Sequence, residues 1–132
     1  MKAECDYRIF YLFLILTLVY ASMIFYLSAQ SEPPGEEEAS AAIPYFEKIG
    51  HAGLYFGLTL LVYMTLVKYP GELNFDIYYV TFLLVLLYAL SDELHQSFVP
   101  RRFATLDDVL FDALGSVVFL LLAKTKEYVS SR

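Results

Sequence analysis

Four apolar stretches separated by polar segments run along the chain. Residues 9–31 and 49–67 contain no Asp, Glu, Lys or Arg. An α-helix needs about 20 apolar residues to cross roughly 30 Å of hydrocarbon, so each of these stretches predicts a membrane-spanning helix. The first is longer than the core of a secretory signal peptide, which has about 7–15 residues, and this favours a retained anchor.

The third and fourth stretches are too short to cross a bilayer on their own. Residues 77–91 carry no charge and residues 109–123 carry only Asp112. Each has about 15 residues where a span needs about 20, so its helix must continue into acidic neighbours. Those acidic residues are Asp92, Glu93, Asp107, Asp108 and Asp112. We therefore expect several carboxylates to lie within the outer part of the bilayer.

These stretches predict an all-α protein. We expect a four-helix transmembrane bundle with antiparallel, up-down topology and both termini on the same side, because short polar segments join the later helices. A single domain covers residues 1–132, with transmembrane helices at about residues 9–29, 49–67, 77–97 and 106–124. Thr105 and Asp108 form a T-x-x-D pattern, which is typical of the start of a helix.

The composition agrees with a membrane location. Hydrophobic residues make up 58% of the sequence and charged residues 18%. A soluble domain of this size could not bury so much apolar surface, whereas membrane lipids can surround it. The net charge of −6 argues against a nucleic-acid partner, which would need a basic surface.

Basic residues are unequally divided between the two predicted ends of the bundle. The end with the termini and the middle loop carries Lys2, Arg8, Lys68, Lys124, Lys126 and Arg132. The other end carries Lys48, Arg101 and Arg102. Because cytoplasmic segments are richer in Lys and Arg, we expect a multi-pass protein of the cell membrane with cytoplasmic termini and the second end facing outside.

Polar residues of all four helices are expected to meet at this outer end. Glu47, His51 and Tyr55 follow one another at four-residue steps and share one face of the second helix. The antiparallel hairpins bring Glu47 and His51 level with a set of polar residues from the other helices and the last loop: Ser28, Gln30, Glu93, Gln96, Arg102, Asp108 and Asp112. Ionisable groups in a bilayer cost about 2.5–3.5 kcal/mol each, so they should turn inward and pair. We expect Arg102 to pair with Asp108 or Glu93.

This polar layer has two interpretations. It is either a functional site or a polar staple that fixes helix packing, and the number of groups favours a site. Glycines predict where the helices approach each other. Gly53 and Gly57 form a G-x-x-x-G pattern that lets another backbone come close. Gly115 shares a face with Asp108 and Asp112 and would let a neighbour pack beside the carboxylates.

Several polar motifs follow one another in a fixed order over about residues 26–116. They consist of Ser28, Gln30, Glu47, Lys48, His51, Tyr55, Asp92, Glu93, Gln96, Phe98, Pro100, Arg102, Asp108, Asp112 and Gly115. In order and spacing they resemble the VanZ-like family of small integral membrane proteins. Glu47 and Asp112 stand where that family has Asp and Asn. The resemblance implies four membrane helices, a role in the cell envelope and an association with low-level resistance to glycopeptide antibiotics of the teicoplanin type.

Our leading hypothesis is a protein that binds an amphiphilic or lipid-linked ligand, such as an envelope precursor, at the outer membrane face. His51 could act as an acid or base, and Arg102 could hold a phosphate or carboxylate. The candidate catalytic residues are His51, Glu93 and Asp108. The candidate ligand-binding residues are Gln30, Glu47, Tyr55, Gln96, Arg102 and Asp112.

Two alternatives belong to other classes. A metal-dependent lipid hydrolase or transferase could use His51, Glu93 and Asp108 as ligands. The sequence lacks H-E-x-x-H and has one inward-facing histidine, so we expect no metal and no cofactor. A transporter could relay protons through Asp112, but the inner halves of the helices are almost entirely apolar, which disfavours a pathway through the bilayer.

Overall fold

A computed structural model describes residues 2–31, 46–100 and 105–131 of the chain. Over these residues the chain forms four helices and no strand, which confirms the predicted all-α fold class. The helices are α1 (Lys2–Ser28), α2 (Phe46–Val67), α3 (Ile77–Gln96) and α4 (Leu106–Ser130). The first and last helices extend beyond the predicted spans, because their polar flanks are also good helix formers.

Contacts between helix ends define an antiparallel, up-down bundle. Ser28 near the end of α1 contacts Asp92 near the end of α3. His51 near the start of α2 contacts Asp112 near the start of α4. Helix α2 packs against all three other helices, whereas α1 and α4 do not touch within the described part of the chain. Helices α1 and α4 therefore lie on opposite sides of α2.

The two later helices begin with different capping arrangements. The Asp76 carboxylate accepts a hydrogen bond from the Tyr79 backbone N–H at 3.0 Å and caps α3. At the start of α4, the Thr105 hydroxyl donates to Asp108 at 2.7 Å and caps no backbone group. The Thr105 N–H donates instead to the Glu93 carboxylate. The end of α3 is thereby tied to the start of α4.

Three helices are long and apolar enough to cross a membrane. They are Tyr7–Ser28, Phe46–Val67 and Ile77–Gln96, with mean hydropathies of 2.2, 1.4 and 1.5. Their outer faces expose large apolar side chains, including Leu18, Leu60 and Leu87. Helix α4 also exposes leucines, but its charged ends keep it out of this group, and its crossing of the bilayer stays a prediction.

Among the glycines, backbone contact with a neighbouring helix occurs at Gly115 and not at the predicted G-x-x-x-G pair. A Cβ atom on Gly115 would lie 2.0 Å from the carbonyl oxygen of Ala52, so α2 and α4 are in backbone contact there, as predicted for Gly115. Gly57 faces the Tyr20 ring of α1, and a Cβ on Gly53 would meet no described atom within 4 Å. The prediction for Gly53 and Gly57 was wrong because α1 presents a side chain to Gly57, while Gly53 faces outward.

Candidate functional site

Two polar clusters lie side by side at the end of the bundle where α1 and α3 finish and α2 and α4 begin. The ionic cluster contains Lys48, His51, Thr105, Asp108 and Asp112 and joins α2 to α4. The Asp92 cluster contains Ser28, Tyr55, Asp92 and Gln96 and joins α1, α2 and α3. Together they form the polar layer that the sequence predicts.

The ionic cluster is built from two successive acid–base contacts between parallel helices, one by a lysine and one by a histidine. Lys48 in the first turn of α2 pairs with Asp108 in the first turn of α4. One turn further along, His51 Nδ1 lies 3.0 Å from the Asp112 carboxylate. The close approach of α2 and α4 at Gly115 keeps the two helices near enough for both pairs to form.

The acidic and the basic side chains of this cluster differ in their exposure. The side chains of Asp108 and Asp112 are 6% and 2% exposed, whereas those of Lys48 and His51 are 23% and 13% exposed. Carboxylates in such a setting depend on their partners, because an unpaired buried charge is strongly destabilising. The accessible part of the cluster is therefore cationic, and the buried part is anionic.

The contact between His51 and Asp112 constrains the histidine. When Asp112 is ionised, its carboxylate can only accept hydrogen bonds, and Nδ1 then carries the proton that Asp112 accepts. In neutral His51 the other ring nitrogen, Nε2, then has a free lone pair and is available to accept a proton. A buried carboxylate that orients an imidazole in this way is a recurring arrangement in acid–base catalysis.

The Asp92 cluster satisfies its carboxylate with neutral donors. Ser28 donates to one oxygen at 2.5 Å, and Tyr55 and Gln96 donate to the other at 3.3 and 3.2 Å. The Gln96 amide also donates to the Ser28 hydroxyl at 2.9 Å. These residues are no more than 5% exposed, so the cluster is closed to ligands in this conformation.

Glu93 joins the end of α3 to Thr105 of the ionic cluster. Glu93 is 8% exposed and accepts the Thr105 backbone N–H. The Lys48 ammonium lies 3.5 Å from the Thr105 hydroxyl. Arg102, the expected partner of Asp108 or Glu93, lies outside the described residues. The cation paired with Asp108 is Lys48, which the sequence analysis did not place in the layer.

The other candidate residues lie around this core. Glu47 is exposed and Gln30 is half-buried. Tyr55 and Gln96, both predicted to bind ligand, are instead engaged with Asp92. His95 lies apart, as the helix geometry predicts, with its ring stacked on Phe25 at a centroid distance of 4.2 Å.

Sequence reasoning missed the central role of Asp92 and the pairing of Lys48. A signal for Lys48 was present: it precedes His51 by three residues, and Asp108 precedes Asp112 by four, so both pairs fit neighbouring parallel helices. Within the ranges that the structure describes, no group of three His, Cys, Asp or Glu side chains is arranged to hold a metal ion.

The fold and the polar layer define a small helical membrane protein whose buried carboxylates are gathered at one end of the bundle. The chain matches the VanZ/LLP1 family over residues 9–127. It therefore belongs to that family, in agreement with the resemblance of its polar motifs. No curated protein and no solved structure matches the chain.

Proposed function

We propose that this protein acts at the outer membrane face on the cell envelope by binding the anionic head group of an amphiphilic or lipid-linked ligand beside the ionic cluster. One observation carries the proposal: Lys48 and His51 are the accessible members of a cluster whose carboxylates are buried. A phosphate or carboxylate head group would approach these cations first. The apolar tail of such a ligand would stay in the bilayer.

The charge balance of the layer requires further cations for tight binding of an anion. Asp92, Glu93, Asp108 and Asp112 are buried there, against Lys48 and His51. The sequence places Arg101 and Arg102 four and three residues before Thr105. We propose that Arg102 supplies a bidentate contact to the head group, as guanidinium groups do for phosphates and carboxylates.

A second candidate function is catalysis as a membrane-embedded hydrolase or transferase on a lipid substrate. The contact between His51 Nδ1 and Asp112 favours it. In hydrolysis, Nε2 would take a proton from the attacking water and return it to the leaving oxygen. Glu93 and Asp108 would orient the reacting groups. Release of phosphate from a lipid phosphate, lost in His51→Gln, would establish this function.

Binding is tested with farnesyl phosphate and the full chain in lipid nanodiscs, measured by titration calorimetry. Charge-assisted hydrogen bonds contribute about 1.5–3 kcal/mol, so Lys48→Gln and His51→Gln should each weaken binding at least about tenfold. Lys126→Gln, near the end of α4, is the control and should bind as the wild type does. Equal affinity in all variants would overturn the proposal.

We also propose, from membership of the family, that the protein raises tolerance to teicoplanin. The growth-inhibitory concentration of teicoplanin would be measured in a bacterial host that expresses wild-type, His51→Gln or Lys126→Gln protein at matched levels. An increase that His51→Gln abolishes and Lys126→Gln retains would connect the ionic cluster to the phenotype. No increase with wild-type protein would contradict this part of the proposal.

A further inference from the structure

An apolar groove lies between α3 and α4 at the end of the bundle opposite the polar layer. Its volume is about 210 Å³. The residues that line it are Tyr78, Phe82, Val117, Leu120, Leu121 and Lys124. Val117 and Leu121 are exposed, so the groove opens toward the outside of the bundle, where a membrane protein meets lipid tails.

The one cation among the lining residues, Lys124, lies at one end of the groove. Lys124 is the last residue of the predicted span of α4, which places its ammonium group at the membrane interface. Its Nζ atom lies 6.0 Å from the centre of the Tyr78 ring, and within the described ranges it forms no ion pair.

Glu127, the acidic residue one turn after Lys124, is hydrogen-bonded to other groups. Tyr63 donates a hydrogen bond to the Glu127 carboxylate at 2.6 Å. Hydrogen bonds from Tyr63 and Tyr78 hold the pKa of Glu127 below its ordinary value, so it stays an anion at neutral pH. Glu127 is thus engaged by phenol groups, and the Lys124 ammonium is available to a ligand.

We propose that this groove binds one acyl chain of an anionic phospholipid, with Lys124 contacting the lipid phosphate. An apolar groove on a bilayer-facing surface is filled by acyl chains, and a cation at its interfacial end selects a negative head group. The predicted orientation places this end in the cytoplasmic leaflet, where anionic lipids are concentrated. The site is separate from the ionic cluster at the other end of the bundle.

Native mass spectrometry of the full chain tests this site. Detergent-solubilised protein would be mixed with equal amounts of phosphatidylglycerol and phosphatidylcholine that carry identical acyl chains. We expect the wild type to retain phosphatidylglycerol about fivefold more often, the contribution of one lysine at a membrane surface. Lys124→Gln should reduce this ratio to about one. The control variant Lys126→Gln changes a lysine that is also exposed but lies outside the groove. It should preserve the preference for phosphatidylglycerol.

A second variant tests the acyl-chain part of the groove. Val117→Trp fills the cavity and leaves Lys124 unchanged, so retained lipid of both kinds should fall. The proposal fails if Lys124→Gln keeps the wild-type ratio, if Lys126→Gln loses it equally, or if Val117→Trp retains as much lipid as the wild type. A lipid-free dimer that Val117→Trp dissociates would also overturn it, because the groove would then hold a second copy of the chain.

Discussion

The two polar clusters at the same end of the bundle hold their carboxylates by different means. Asp92 is surrounded by hydroxyl and amide donors from three helices, whereas Asp108 faces the Lys48 ammonium group and Asp112 faces the His51 imidazole. The Asp92 cluster is closed, while the cations of the ionic cluster are partly exposed. We infer that the Asp92 cluster is the polar staple and that the ionic cluster is the site.

On this difference we propose a polar staple in the Asp92 cluster and a functional site in the ionic cluster. Neutral donors can satisfy a buried carboxylate without leaving a reactive group at the surface. Ion pairs with one exposed partner leave a charge that a ligand can reach. Substitutions in the two clusters should therefore differ in their effects on stability and on ligand binding.

The largest effect is expected where the ionic cluster depends on backbone contact. Gly115→Ala would place a Cβ against the Ala52 carbonyl oxygen, forcing α2 and α4 apart. Overpacking typically costs about 1–3 kcal/mol and occasionally more. A clash with backbone should lie at the upper end of this range, so thermal stability in detergent should fall strongly. Gly53→Ala is the matched control, because its Cβ meets no described atom within 4 Å. Equal stability of the two variants would contradict the observed helix crossing.

A smaller loss of stability is expected from the staple. Asp92→Ala removes the acceptor shared by Ser28, Tyr55 and Gln96 and leaves buried donors unsatisfied, at a cost of about 2 kcal/mol. Binding of farnesyl phosphate by the folded fraction should change little. Asp107→Ala, at an exposed position on α4, should lower stability by about 0.5 kcal/mol or less. A selective loss of ligand binding in Asp92→Ala would show that the clusters are not separate.

The smallest effect is the coupling between Lys48 and Asp108. Stabilities of Lys48→Gln, Asp108→Asn and the double variant form a thermodynamic cycle, and residues in direct contact give interaction energies of about 0.5–3 kcal/mol. Because Lys48 is partly exposed, we expect a value near the lower end, about 1 kcal/mol. If the stability losses of the two single variants sum to that of the double variant, this ion pair contributes nothing to the stability of the fold.

The lengths of the apolar stretches predicted much of the polar layer from sequence. The short apolar runs required Glu93, Asp108 and Asp112 to enter the bundle, and all three are buried. Spacing along one helix is fixed by the helix itself, so the contact between Asp92 and Gln96 follows from their separation of four residues on α3.

Which side chains of two different helices pair with each other could not be predicted in the same way. It depends on the relative shift of α2 and α4, which the Gly115 crossing sets. For this reason the spacing of Lys48 and Asp108 allowed their pairing but did not decide it. The contact of Tyr55 with Asp92 depends in the same way on the shift between α2 and α3. A shift of one helical turn would have paired other residues equally well.

Cysteine accessibility tests the central claim most directly. In a Cys5→Ser background, which removes the one native cysteine, Lys48→Cys and Ser28→Cys would each be treated in intact cells with a membrane-impermeant maleimide. We predict that Lys48→Cys is labelled from outside, and that Ser28→Cys, at a position 5% exposed, is labelled only after denaturation. Equal labelling of both positions, or labelling of Lys48→Cys only from the cytoplasmic side, would contradict an open ionic cluster at the outer face.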